Sequence, residues 1–128
     1  MFYVKLIISK SIVLEKYECA HSAGGKFMIN KERMLAEFFE LVKIKCSTKA
    51  ERQVADVLKG RLTALGMEVF EDNTGEKIGG NCGNLIAYTE GTVQGAPALM
   101  LSAHMDCVEP CSGVEPELKD GIITSVGD

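Results

Sequence analysis

Apolar residues Leu35, Phe38, Phe39 and Val42 recur at the i, i+3, i+4, i+7 spacing of one helical face, and Asn30 stands where a side-chain oxygen would cap the first turn. The spacing predicts a helix from there to about Lys45. Val54, Val57, Leu58, Leu62 and Leu65 form a second stripe. Thr48-Lys49-Ala50-Glu51 has the form of a capping box before it, and Gly66 stands where a left-handed C-terminal cap is wanted. The period then shortens to that of strands at residues 67–72 and 85–89, with a Gly-rich loop over residues 74–84. Residues 98–103 are apolar on both alternating faces, which predicts a central strand covered on both sides. Glu117-Leu118-Lys119 and Ile122-Ile123-Thr124 flank Asp120-Gly121, the sequence of a two-residue hairpin turn. Two helices followed by strands predict an α/β fold, a partial three-layer mixed sheet with two N-terminal helices. The chain stops soon after the hairpin, without a closing helix for the other face of the sheet.

Residues 1–27 do not share this patterning, being β-branched and apolar up to Leu14 and then without periodicity. They read as an atypical extension to a domain over residues 28–128. Gly24-Gly25-Lys26 would be encoded by a purine-rich stretch resembling a bacterial ribosome-binding site, which makes Met28 a candidate natural start. An N-terminal strand or hairpin is the alternative.

Composition narrows the function. With 46% hydrophobic and 25% charged residues the chain falls in the ordinary globular range. The net charge of −4 argues against nucleic acid as a partner. Residues 1–66 carry +5 and residues 67–128 carry −9, so the second half is where a cation would be sought. Five cysteines, an odd number without a convincing export signal, predict a reducing cytoplasm. Lys10 splits the apolar N-terminal stretch, and no run approaches the length of a membrane span.

His104-Met105-Asp106 follows the apolar strand directly. Alternation along a strand puts His104 and Asp106 on one side, at the end where open α/β sheets place ligands. An imidazole ligates zinc well once a carboxylate has fixed its tautomer, so His-x-Asp has a chemical rationale, although a hydrogen-bonded structural pair is the commoner meaning of that spacing. A rival is a small thiol–zinc site built from His104, Cys107 and Cys111, for which a fourth ligand is not evident except from Cys19 or His21. No Gly-x-Ser-x-Gly elbow accompanies Ser102, and the glycines match no phosphate-binding pattern.

Asn84-Leu85-Ile86-Ala87, then Pro97 through Asp106, then Val108-Glu109-Pro110 and Asp120-Gly121-Ile122-Ile123 together resemble peptidase T-like metallopeptidases of the aminoacylase and carboxypeptidase superfamily. The resemblance extends from Met28 to Asp128. It implies two zinc ions in the intact enzymes, with His104 ligating one and Asp106 orienting or tuning that histidine. It also implies a glutamate that deprotonates a bridging water, short peptides as substrates, and dimerisation only through a lid domain. Cys107 and Cys111 depart from the usual threonine and glycine of the family. The bridging aspartate, the general-base glutamate and the remaining ligands have no counterpart in the 128 residues. The expectation is an N-terminal fragment that holds zinc weakly or not at all and is inactive alone. Its rivals are a non-catalytic α/β binding module and the thiol–zinc structural protein.

Overall fold

The computed structural model describes the backbone of residues 3–9, and residues 29–126 in full. The readings placed on residues 10–28, including Cys19, His21, the Gly-Gly-Lys stretch and the start at Met28, lie outside the described residues. In chain order the elements are β1 (Tyr3–Ser9), α1 (Lys31–Val42), α2 (Arg52–Ala64), β2 (Glu68–Glu71), α3 (Thr74–Ile78), β3 (Leu85–Glu90), β4 (Leu99–His104), β5 (Glu115–Lys119) and β6 (Ile122–Val126). The fold is mixed α/β, as the patterning predicts.

Four strands form one sheet in the order β2-β3-β1-β4, with β3 and β1 parallel and the other two pairings antiparallel. Seven residues of the stretch set apart as an extension thus serve as an interior strand, the alternative that the sequence left open. β4 is correspondingly an edge strand and not the central one expected. It is also uncovered: Leu99, Met100 and Leu101 are 52%, 60% and 50% exposed. The apolar run marks β4 as a strand made for burial, but α2 lies against β2 and β3, and no described element covers β4.

The core lies under α2. Val54 and Ala55 from the helix meet Leu85 of β3, together with Cys46, Cys82 and Met105 from the connecting segments. Leu41, Ile44, Leu58 and Cys107 pack around them. The stripe on α2 loses its last member, since Leu65 is exposed.

Helix α1 starts as expected, with Asn30 Oδ1 accepting the Arg33 N–H at 2.9 Å. It ends at Val42, short of Lys45, and buries no residue completely. Arg61 of α2, reaching Glu37 and Glu40, ties the two helices through partly exposed pairs of small energetic worth. The capping box does not form: α2 begins at Arg52, and Glu51 instead accepts the Lys49 N–H at 2.8 Å within a turn where Lys49 has φ +73°. The loop predicted over residues 74–84 contains the short α3, closed by Gly79 in the left-handed conformation. At the end of the chain β5 and β6 pair across Asp120 and Gly121, both at positive φ, as the Asp-Gly signal requires.

Candidate functional site

His104 is the last residue of β4, opposite Tyr3 in the antiparallel ladder. Met105 turns into the core at 4% exposure, which leaves His104 and Asp106 on the other side of the chain. The two side chains meet, with Nδ1 of His104 3.3 Å from Oδ1 of Asp106. His104 remains 47% exposed at the mouth of the strand, and Asp106 only 18%. The pair predicted from two letters of sequence is therefore formed, with its imidazole open to solvent.

A third residue completes the arrangement. Thr48 Oγ1 donates to Asp106 Oδ2 at 2.8 Å, from 58 positions away. Thr48 is brought there by one parallel bridge, Ser47 to Cys107, and by the Cys107 N–H donating to the Cys46 carbonyl at 2.9 Å. The Thr48 hydroxyl holds the Asp106 carboxyl below its usual range; burial opposes this, and His104 assists. Both carboxylate oxygens are thus engaged, and the aspartate stays ionised beside the ring. Replacing Thr48 by valine should raise the Asp106 carboxyl toward its ordinary value and lower stability by about 1 kcal/mol. Carbon-detected NMR titration of that carboxyl reads the shift, and an unchanged curve would show that the threonine does not hold it.

Among the described residues the thiol–zinc alternative does not assemble. Among the described residues no group of three or more His, Cys, Asp or Glu side chains is placed to hold a metal ion. Cys107 instead faces Cys46, Sγ to Sγ, at 2.8 Å, while His104 is turned to Asp106. Cys46 is almost fully buried, and burial followed by the contact with Cys107 pushes its thiol up to about 12.

A surface pocket of about 410 Å³ lies elsewhere, lined by Arg52, Glu71, Asp72, Asn81 and Gly83 among others. Its polar groups already bind one another: Arg52 forks onto Glu71, which keeps that carboxyl below its usual range against the effect of burial, and Glu71 also accepts the Gly83 N–H at 2.8 Å. This is a structural network beside the loop, without His104 or Asp106.

The solved aminopeptidase PepT from Bacillus cereus ATCC 10987 superposes with a TM-score of 0.69 at 40% identity, over 77% of this chain and 26% of its own. This stretch of fold is PepT-like. An uncharacterized protein, YqjE, of Bacillus subtilis (strain 168) is likewise 40% identical over 100 residues, 78% of this chain and 27% of that protein. The chain therefore spans about a quarter of the length of the relatives it matches. No family model matches it. The PepT-like likeness agrees with the resemblance read from the residues around His104 and supports a peptidase-like origin.

Whether zinc suits these residues is a matter of donor chemistry. A solvent-facing imidazole backed by an ionised carboxylate is a fitting single ligand for a zinc ion. The described residues supply that one position and not a full set. The sequence paired His104 with Asp106, and the two side chains do meet, but it assigned Thr48 to a helix cap and not to this pair. Nothing in the sequence links positions 48 and 106.

Proposed function

We propose that this chain is part of the catalytic domain of a PepT-like metallopeptidase acting on short peptides, with His104 as one zinc ligand and Asp106 as the residue that orients it. The observation carrying this reading is the His104–Asp106–Thr48 chain at the mouth of a β-strand in a PepT-like fold. Asp106 accepts from Nδ1, fixes the tautomer in which Nε2 is the ligating nitrogen, and makes that nitrogen more basic. Thr48 holds the aspartate so that it cannot swing away from the ring. Zinc, when bound, lowers the pKa of a ligated water and polarises the scissile carbonyl. The ligands that complete the site, and the base for the water, belong to parts of the parent hydrolase beyond these residues. The uncovered β4 fits this reading, because a larger domain would lay further structure over Leu99, Met100 and Leu101. Free thiols in the described residues fit a reducing compartment, and we place the enzyme in the cytoplasm. Among the described residues no helix is long and apolar enough to cross a membrane.

The test is a chimera of the Bacillus cereus PepT aminopeptidase in which the matching stretch is exchanged for this chain. It should bind zinc and cleave tripeptides. Asp106→Asn should weaken zinc binding by about 10- to 100-fold, and His104→Ala should weaken it further. A His104→Ala chimera with undiminished zinc affinity and activity would overturn the assignment. The isolated chain should release zinc to a mild chelator, since a lasting site needs three or four ligands.

A further inference from the structure

Cys46 and Cys107 do not enter the proposed reaction, yet their sulfurs face each other at 2.8 Å. The backbones that carry them are already joined, through the Cys107 N–H to the Cys46 carbonyl at 2.9 Å and the neighbouring bridge from Ser47. Two free thiols on paired segments need their sulfurs to approach by only about 0.8 Å to reach bonding distance. We propose that Cys46 and Cys107 are a peroxide-oxidisable modification site, closing to a disulfide that fastens the α1–α2 loop to the segment bearing His104 and Asp106.

Access decides the order of events. Cys107 is partly exposed and Cys46 is 2% exposed, so peroxide reaches Cys107 first. The Cys107 sulfur, as thiolate, attacks one peroxide oxygen; an S–O bond forms, the O–O bond breaks, and the departing hydroxide takes up the proton the thiol gave up, leaving as water. The Cys46 sulfur then attacks the sulfenic sulfur of Cys107. The S–S bond forms, the S–O bond breaks, and the hydroxide leaves with the Cys46 proton as a second water. Two thiols lose two hydrogens and two electrons, and one peroxide is reduced to two waters. The link spans Cys46 to Cys107, two residues before Thr48 and one after Asp106, so it holds the Thr48–Asp106 contact in place covalently.

Cys111 and Cys82 are the internal controls. Cys82 is buried beside Gly83, and Cys111, buried after the turn, lies near enough to Cys46 to act on its thiol, but only Cys46 and Cys107 make a sulfur–sulfur contact among the described residues, so Cys111 is the stringent competitor. The full chain, treated with equimolar hydrogen peroxide, digested and measured by mass spectrometry, should yield a Cys46–Cys107 peptide pair about 2 Da lighter than its two reduced parts. That pair should exceed any other pairing by about tenfold and should be reversed by dithiothreitol. The preference should vanish in denaturing urea, which guards against a Cys107→Ser variant that fails to fold. In Cys107→Ser that does fold, Cys46 should remain a thiol. The proposal is overturned if Cys107 pairs chiefly with Cys111, if the same preference persists in urea, or if Cys107 gains about 32 Da as sulfinic acid without a cross-link.

Discussion

Gly83→Ala should destabilise the fold by about 3–5 kcal/mol, enough to remove most of the stability expected of a small domain. A Cβ on Gly83 would lie 1.8 Å from the Asp72 carbonyl oxygen and 2.7 Å from Asp72 Oδ1. Neither is the free end of a flexible side chain. The carbonyl is main chain just after β2, in a residue whose N–H donates to the Asn84 carbonyl at 3.0 Å, and Oδ1 is fixed by the N–H groups of Thr74 and Asn84 at 3.0 and 2.9 Å. Gly75→Ala should cost a comparable amount, because its Cβ would stand 2.0 Å from the Cys82 carbonyl oxygen. Close approach of backbone, not an unusual φ, requires glycine at both places. Gly79 is the contrast: it has φ +70° with open space around it, so Gly79→Ala should cost only about 1 kcal/mol. Urea denaturation followed by circular dichroism separates the two classes. Equal small losses at all three positions would mean that the loop is not packed as described.

The second large effect belongs to Asp72, which joins β2, α3 and β3. Besides the two backbone N–H groups, its Oδ2 accepts from Asn84 Nδ2 at 2.8 Å. Burial pushes this carboxyl up, but the Asn84 side chain and the N–H groups of Thr74 and Asn84 outweigh it and hold the group at about 2. A carboxyl whose pKa is lower in the folded chain than in the unfolded one stabilises the fold above its unfolded value near 3.8, and that contribution is lost as pH falls toward 2. The shift corresponds to roughly 2 kcal/mol. Asp72→Ala removes the acceptor of the Thr74 and Asn84 N–H groups and one of the acceptors of Asn84 Nδ2, and should cost about 2–4 kcal/mol at neutral pH. The gap between the two proteins should narrow between pH 4 and pH 2, and a gap independent of pH would refute the role of the charge. Glu71, also lowered by Arg52, acts in the same direction.

The legible parts of the chain were those where one local rule decides the structure. Asn30 caps α1, Asp120-Gly121 turns the hairpin, and Gly66 at φ +79° follows α2, because each depends only on near neighbours. The His104–Asp106 pair was legible for the same reason, since alternation along a strand sets it. Thr48 and Glu51 show where such reasoning stops. Their spacing satisfies a capping box, yet the hydroxyl does better on an ionised carboxylate across the fold, and the helix starts one residue after the glutamate. β4 failed in another way. Its composition marks a strand, but the burial on both faces read from it is not found: among the described residues β4 is an exposed edge strand. The Cys46–Cys107 contact left no trace in the sequence, because it depends on one bridge between segments 61 residues apart.

β1 occupies the middle of the sheet although both its neighbours lie far along the chain from it, and this orders assembly. β1 pairs with residues from Leu85 onward on one side and with β4, up to His104, on the other. On the ribosome it must wait for roughly eighty residues to emerge before its first neighbour exists, a high-contact-order closure that folds slowly. The unit of α2, β2 and β3 closes over shorter separations, with Val54 and Ala55 meeting Leu85 from about thirty positions away, and so can form before β4 completes the sheet. The imidazole at position 104 then takes its place among the last groups to dock, because its residue pairs with Tyr3, about a hundred positions away.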